Sequence, residues 1–432
     1  MVLRLKIKNF GKVKSADILL NDMVVFVGNN NSGKTMVMQL IYGIRKELYD
    51  FPVTISGIRQ SELNGEYLIL CAQGWFREVE LQINDYLAEN KSRIMESIFG
   101  APISVDEIKL VLEDTESVHF VGSISEYRDT EAGERQTGFS IDVLQYEKGE
   151  KKESFEGRFS EKDHLEDAVN ETLNTIWRIM LSGKSALDAG QLFLPAARSG
   201  LQLLYKHYFV GETAGNLVMP VKDFLRFLQL YSADKQLSEV RKALLEFGEE
   251  HLLEGSIVQK GDETFYVDKH GERTVSLYIA SSMIHELTPF IKALSGTQRI
   301  GWLYCDEVEN SLHPLMQREM ARWLIRMVNA GMHVIVSSHS DTMASRLNNL
   351  FMLTQLNRKK ADYKRLTELE LMEADMLRSD VEVSVYEFRS GENGKTTVEK
   401  LEFIDYPLMG YDFRLFSKNL DKLYDEADRI TR

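Results

Sequence analysis

The sequence predicts an α/β fold, and three segments carry that prediction. The first is the apolar run MVVFV at 23–27, which leads into the glycine loop GNNNSGKT and then a helical segment. The second is IGWLYC at 300–305, which ends in two carboxylates, and the third is VIVSS at 334–338, which ends before a histidine. Short apolar runs that alternate with helical patterns are typical of strands buried in a parallel sheet.

The first 50 residues hold a strand, a glycine loop and a helix in that order. LRLKIKNF, ADILL and MVVFV predict short strands that lead into the loop. After the loop, apolar residues recur at i, i+3, i+4 and i+7, which is the spacing of one helix face: Val37, Leu40, Ile41 and Ile44. We therefore expect residues 1–50 to form the N-terminal lobe that carries the loop.

The pattern changes at residue 51, and residues 51–185 are predicted to be a mixed α/β insertion. It combines a helical region near 75–98, strand-like segments such as FSIDVLQY, and a helix that carries Leu165, Val169, Ile176 and Met180. Without sustained heptads, it does not predict a long coiled coil. The core resumes over 186–355, and 356–432 are predicted to form a C-terminal hairpin and helix extension.

Composition limits the function classes. The hydrophobic fraction of 44% over 432 residues is that of a globular protein with one large domain or two. No apolar run approaches the roughly 18 residues of a membrane helix, so a soluble cytoplasmic protein is expected. The net charge of -14 disfavours a surface coated for nucleic acid, although the local basic segment Arg358–Lys360 could still bind one.

The glycine loop fits the pattern G-x-x-x-x-G-K-[ST], which binds phosphate through backbone N–H groups. Chance produces this pattern in only about one or two chains per hundred of this length. Lys34 would reach the β- and γ-phosphate oxygens, and Thr35 would supply a hydroxyl to Mg²⁺. We expect ATP with Mg²⁺ to bind here, through Gly28, Asn29, Asn30, Asn31, Ser32, Gly33, Lys34 and Thr35.

Polar residues at the ends of two later strands complete the predicted site. Asp306 is expected to hold Mg²⁺ through its water shell, and Glu307 to polarise the attacking water as a general base. His339 follows the strand VIVSS at the sheet edge where ligands bind in open α/β folds. We expect His339 to contact the γ-phosphate, whereas His333 lies on the strand itself and is expected to be structural.

Together, GNNNSGKT, LYCDEVENSLHP and VIVSSHSD resemble the ATP-binding-cassette ATPases of the structural-maintenance-of-chromosomes and RecF kind. Within that group the chain is most similar to the prokaryotic stand-alone branch related to the overcoming-lysogenization-defect ATPases. Three further segments resemble this branch: IKNFGKV, FLPAARSGL and IASSMIHELTPF. The resemblance implies an ABC-type P-loop ATPase head with a mixed central sheet. It also implies an N-terminal antiparallel β part and a mainly helical insertion.

In these ATPases a signature segment caps the γ-phosphate bound by the other protomer. Leu294–Gln298 (LSGTQ) is similar by letter, but it stands only 12 residues before Asp306. In this family a helix, a turn and a strand lie between the signature segment and the acidic residue that corresponds to Asp306, and these elements take some two dozen residues. Ser281 and Ser282 meet that requirement, so LSGTQ is expected to be a helix-ending turn. Met283 stands where the family usually has glycine.

Two further residues come from the resemblance. Arg198 in PAARSG resembles a position beside the nucleotide, although an arginine after a strand is as often part of a salt bridge. Gln191 is the candidate for the glutamine that senses Mg²⁺ in this family.

The resemblance implies a clamp in which ATP binding closes a head-to-tail homodimer, or a higher oligomer, and hydrolysis opens it. It also implies a separate effector protein, a nuclease or toxin, in antiphage defence. Related ATPases that carry their own nuclease domain have a Glu followed by an Asp-x-Asp motif, and the 93 residues after His339 show no such arrangement. Two alternatives stay open: a RecF-like repair ATPase that clamps DNA directly, and a nucleotide-gated scaffold with negligible turnover. A GTPase is disfavoured because no N-K-x-D segment occurs.

Overall fold

The computed structural model describes residues 2–53, 68–70, 73–113, 115, 118–131, 134–147, 150–160, 165–182, 190–208, 217–261, 263–359, 363–391, 393–405, 409–413, 424–426 and 428–430. Its strands are β1 (Val2–Phe10), β2 (Val13–Leu20), β3 (Met23–Gly28), β4 (Leu68–Leu70), β5 (Glu107–Glu113), β6 (Val118–Glu131), β7 (Glu134–Glu147), β8 (Glu150–Ser160), β9 (Gly190–Leu194), β10 (Gly255–Lys260), β11 (Glu263–Asp268), β12 (Thr274–Ser276), β13 (Ile300–Cys305), β14 (His333–Ser338), β15 (Val383–Ser390), β16 (Thr396–Leu401), β17 (Phe403–Ile404) and β18 (Gly410–Tyr411).

The helices are α1 (Lys34–Tyr49), α2 (Gln73–Glu89), α3 (Lys91–Phe99), α4 (Leu165–Ser182), α5 (Arg198–Tyr208), α6 (Met219–Gln229), α7 (Glu239–Gly248), α8 (Ser282–Ser295), α9 (Pro314–Asn329), α10 (Asp341–Lys359) and α11 (Tyr363–Glu368). None of these described helices is both long and apolar enough to cross a membrane.

A nine-stranded mixed sheet organises the described chain, in the order β5-β1-β2-β16-β15-β3-β14-β13-β9. Strands β15, β3, β14, β13 and β9 are mutually parallel, whereas β1 pairs antiparallel with both β2 and β5. The five parallel strands are flanked by helices, and β3 is buried along its whole length. The predicted α/β fold with a mixed central sheet is confirmed.

Hydrophobic side chains form one core on each face of the sheet. The first core joins β1, β2 and α1 to buried residues of α2, α3 and α4, so residues after 51 pack directly on the N-terminal lobe. The second core joins β3, β13 and β14 to α8, α9 and α10. Residues 68–160 also form a separate four-stranded antiparallel sheet, in the order β4-β6-β7-β8. Helices α2 and α3 lie in the same part of the chain.

Local sequence features explain several element boundaries. Helix α6 begins next to Pro220, a residue that is favoured in the first turn of a helix. Helix α8 ends at Ser295 with Gly296 as its cap, so LSGTQ is a helix-ending turn, as the spacing predicts. The hairpins β10–β11 and β15–β16 form, and the second lies in the C-terminal segment where a hairpin is predicted; Asp262 and Glu392 lie outside the described residues. Lys360 of the basic segment lies outside them too.

Candidate active site

The glycine loop runs from the end of β3 to the first turn of α1. Gly28 and Gly33 have φ angles of 150° and 99°, which disfavour any side chain, and a Cβ at Gly28 would lie 2.6 Å from the carbonyl oxygen of Phe388. No side chain caps the N-terminus of α1, and its first turn holds no acidic residue. This end of α1 can therefore accept an anion on its backbone N–H groups.

Lys34 is the cation of the loop, and it is buried, with only 3% of its surface exposed. Its Nζ donates to the carbonyl oxygens of Gly28, at 2.8 Å, and of Asn29, at 3.0 Å. Burial lowers the pKa of Lys34 to about 8, although the nearby charges of Asp306 and Glu309 oppose that shift. The ammonium thus lies in a site that a negatively charged ligand would stabilise.

Asp306 lies at the end of β13, in contact with two hydroxyl groups. Thr35 Oγ1 donates to its Oδ2 at 2.8 Å, and Ser337 Oγ donates to its Oδ1 at 2.5 Å. Burial raises the pKa of Asp306, while these two hydrogen bonds lower it by a smaller amount. The structure therefore places one hydroxyl and one carboxylate side by side at the mouth of the loop.

Glu307 occupies a fixed and partly exposed position beside Asp306. Its φ angle of 48° is unusual for a side-chain-bearing residue, and its backbone N–H donates to Ser337 Oγ at 2.9 Å. About a third of the side chain, 34%, is exposed. The carboxylate can thus reach a water molecule while its backbone is held by the neighbouring strand.

His339 connects the loop to Glu307. Its Nδ1 lies 3.1 Å from Lys34 Nζ and 2.9 Å from the Gly28 carbonyl oxygen, and its Nε2 lies 3.4 Å from Glu307 Oε1. If Nε2 carries the proton, Nδ1 accepts from Lys34 and Nε2–H points to Glu307, which satisfies two of the three contacts. The backbone N–H of His339 also donates to Glu309 Oε1, at 2.5 Å.

Arg198 is buried beside the turn that carries Asp306 and Glu307. It is 1% exposed, and its Nη1 and Nη2 donate to the carbonyl oxygens of Asp306 and Glu307, at 2.9 and 3.2 Å. Its Nε lies 2.6 Å from Glu286 Oε2 on α8, which is also buried. The structure therefore shows the salt bridge, one of the two alternatives for Arg198, and this pair ties the turn of Asp306 and Glu307 to α8. Contact of Arg198 with the nucleotide stays a prediction.

The Arg198–Glu286 pair gives a stability prediction. Replacing Arg198 with Ala leaves a buried carboxylate without its cation, so we expect the free energy of unfolding to fall by about 3–5 kcal/mol. The double variant Arg198→Met, Glu286→Leu removes both charges and should recover part of that loss. Recovery is incomplete because three carbonyl oxygens still lose a donor, those of Pro195, Asp306 and Glu307. Urea denaturation measures both; a loss below about 1 kcal/mol in Arg198→Ala would contradict a buried pair.

Gln191 is placed differently from the expectation that it senses Mg²⁺. It lies at the beginning of β9, where it pairs in register with Trp302, whereas Asp306 follows the other end of β13. Its Oε1 accepts from Arg45 at 3.2 Å, and its Nε2 donates to the Tyr42 carbonyl oxygen. Parallel strands align their ends, so Gln191 lies on the edge of the sheet opposite to the loop.

Ser281 and Ser282 lie at the N-terminus of α8, Ser281 as its cap residue and Ser282 as its first residue. Both are exposed, and they are not part of the hydrogen-bonded group around Lys34 and Asp306. The adjoining apolar side chains are exposed too: Tyr278 by 51% and Ile279 by 80%. The structure thus offers a free helix N-terminus beside two apolar side chains.

Sequence reasoning missed three residues of this site. Ser337 bonds both Asp306 and the Glu307 backbone, Glu309 accepts from His339, and Glu286 holds Arg198. Ser337 could have been found, because a polar residue inside the apolar run VIVSS needs a partner when it is buried. Glu286 could not, since its partner is distant in the sequence.

Three comparisons with known proteins bear on this site. Residues 1–184 match a family described as an AAA ATPase domain; the matched segment holds the glycine loop and ends before Asp306. No curated protein matches the chain.

Solved structures with similarity include a SmcHead bound to the C-winged helix domain of ScpA (12% identity, 93% of this chain, 97% of that chain, TM-score 0.39). Others are the SMC head domain from Thermotoga maritima (12% identity, 93% and 99%, TM-score 0.35) and an Smc head with an extended coiled coil bound to the C-terminal domain of ScpA, derived from Pyrococcus furiosus (9% identity, 100% and 99%, TM-score 0.36). Sequence identities of 9–12% do not establish a function, so the function has to be inferred from the residues of the site. The match over residues 1–184 supports ATPase chemistry in general.

Proposed function

We propose that this chain is an ATP hydrolase of the SMC- and OLD-like kind, whose site is completed by a second copy of the chain. The observation that carries the proposal is the meeting of five side chains at one edge of the sheet, each within hydrogen-bonding distance of at least one other: Lys34, Thr35, Asp306, Glu307 and His339. A glycine turn with no ligand would not require a buried lysine, a buried carboxylate and a partly exposed carboxylate at the same point.

The residues at the loop fit Mg²⁺ with a triphosphate. Thr35 Oγ1 and Asp306 Oδ2 are 2.8 Å apart, and both are oxygen atoms of the kind that Mg²⁺ takes beside its water molecules. When bound, the ion neutralises charge on the β- and γ-phosphate oxygens. Lys34 supplies the second positive charge, and its burial strengthens its attraction for an anion.

The remaining residues act on water and on the leaving phosphate. The partly exposed carboxylate of Glu307 orients the attacking water and accepts its proton. His339 lies between Lys34 and Glu307, and with nucleotide bound it would turn its Nε2–H from Glu307 to the γ-phosphate. Ser337 fixes the positions of both acids through its hydrogen bonds.

The second copy contributes Ser281 and Ser282 in this proposal. They lie at an exposed helix N-terminus, which attracts phosphate, and Tyr278 and Ile279 beside them offer apolar surface for a partner. ATP binding would then close a head-to-tail dimer. The similarity of three motifs to defence-associated ATPases supports the further proposal of a separate effector in antiphage defence.

Phosphate release tests the proposed activity. The full chain with Mg²⁺ and ATP should release phosphate, whereas Lys34→Ala should bind nucleotide at least about tenfold more weakly, because it loses a charge-assisted contact worth about 1.5–3 kcal/mol. Nucleotide binding without turnover in the wild type would favour the scaffold alternative. Lys395→Ala is the control, because Lys395 is an exposed lysine outside the loop. An equal loss of nucleotide affinity in Lys395→Ala would show that the overall charge of the protein, and not the position of Lys34, determines the affinity.

The lowered pKa of Lys34 predicts a pH dependence of ATP affinity. In the free protein its ammonium loses a proton near pH 8, and bound phosphate restores a higher pKa, so binding takes up a proton above that pH. We expect affinity to fall about tenfold per pH unit above about 8, until the pKa of the complex is reached. Calorimetry in buffers of different ionisation enthalpy measures the uptake. The Lys34→Arg variant, charged throughout, should show none.

A further inference from the structure

A cavity remote from the phosphate loop lies at the C-terminal end of α1. Its volume is about 400 Å³, within the range of small-molecule sites, and Gln191 and Ile300 at the beginnings of β9 and β13 line it. It therefore lies at the sheet edge opposite to Asp306. The lining residues of α1 recur at i, i+3, i+4 and i+7 and share one helix face: Tyr42, Arg45, Lys46 and Tyr49.

Arg45 is the buried cation of this cavity, with 7% of its surface exposed. Its Nη1 donates to Gln191 Oε1 at 3.2 Å and to the Tyr304 hydroxyl at 3.3 Å, and its Nη2 donates to the Leu181 carbonyl oxygen. The guanidinium lies 3.6 Å over the centre of the Trp302 ring. These partners are all neutral. Among the residues that the structure describes, no carboxylate pairs with Arg45, and its Nε has no hydrogen-bond partner.

The neighbours of Arg45 compensate its charge only in part. Burying an ion carries a large desolvation cost, whereas the C-terminus of a helix and a cation–π contact each offset only a part of it. In agreement, burial lowers the pKa of Arg45, and the largest opposing contribution comes from the neutral Tyr304. A negatively charged group in the cavity would offset the part of the desolvation cost of Arg45 that its neutral neighbours leave uncompensated.

The acids of the cavity are not available to Arg45. Asp223 accepts from Lys46 Nζ at 2.6 Å and from the Tyr42 hydroxyl at 2.9 Å, and Asp50 is exposed. Arg226 is exposed at the rim and adds a second guanidinium to the same space. The cavity thus combines one buried and one exposed arginine with apolar and aromatic walls.

We propose that this cavity binds a small organic anion, whose phosphate or carboxylate group pairs with Arg45 and Arg226. The planar fork of an arginine matches both kinds of group. Tyr49 and Phe227 line the same cavity and offer a surface for an aromatic or apolar body. The site is separate from the phosphate loop, because Arg45 comes eleven positions after Lys34 on α1, about 16 Å along the helix.

Calorimetry on the full chain with Lys34→Ala, which weakens binding at the phosphate loop, tests the proposal. Phenyl phosphate and benzoate distinguish the two head groups, inorganic phosphate tests the need for an apolar body, and benzylamine is the cationic control. We expect one of the two organic anions to bind and benzylamine not to bind. Adding Arg226→Ala should weaken that binding by at least about tenfold, and Arg45→Gln by more, whereas the exposed Arg273→Ala should not change it.

Three results would overturn the proposal. The first is no binding of either organic anion to the Lys34→Ala protein. The second is binding that Arg226→Ala and Arg45→Gln both leave unchanged in proteins with a normal unfolding transition. The third is binding that appears only after Asp188→Asn: Asp188 is the acid between Leu181 and Gln191 in the sequence, and that result would show that the chain itself supplies the anion.

Discussion

Replacing Glu307 with Gln should reduce phosphate release by a factor of about 10²–10⁴, the usual contribution of a general base. The amide keeps the shape of the side chain but cannot accept the proton of the attacking water. In the proposed site the nucleotide is held by Lys34, Thr35 and Asp306, so ATP binding should persist. Single-turnover measurements of phosphate release, with ATP affinity measured in parallel, separate the two effects.

In the proposed clamp, hydrolysis is the step that opens the ATP-bound dimer, so the same variant should accumulate in that dimer. Native mass measurement with ATP should show a larger and longer-lived assembly for Glu307→Gln than for the wild type. Glu239→Gln is the matched control, since its side chain is 88% exposed and lies on α7. Turnover of Glu307→Gln within a few-fold of the wild type would remove Glu307 from the role of base.

The sequence was sufficient where local rules determine structure. The loop, its strand and its helix follow from glycine positions and from the spacing of apolar residues over 23–44. The choice of Ser281 over LSGTQ followed from the length of a helix and a strand, and α8 and β13 have the bounds that this requires. These inferences needed no contact between distant residues.

Arg198 and Gln191 show where sequence reasoning stops. Both were placed by similarity of short motifs, but their positions depend on tertiary packing. Arg198 lies behind the turn of Asp306 and Glu307 because Glu286 on α8 attracts it, and Gln191 lies at the far edge because β9 pairs in parallel with β13. A one-dimensional motif does not state which edge of a sheet a residue occupies.

Mixing two inactive variants should restore activity if each site is shared between two copies. Lys34→Ala loses its own phosphate contact but keeps its serines, whereas Ser282→Arg keeps the loop but blocks the surface it offers to its partner. Ser282 is exposed at the first turn of α8, so the arginine should not disturb the fold. Each variant alone should release phosphate at a small fraction of the wild-type rate.

In an equal mixture, half of the dimers combine the two variants, and one of the two sites in each such dimer is intact. The expected rate is therefore about a quarter of the wild-type rate, if the sites act independently. A chain that hydrolyses ATP without a partner would behave differently, because Ser282→Arg alone would then stay active and mixing would add nothing. The recovered fraction thus measures directly whether Ser282 serves the site of the other copy.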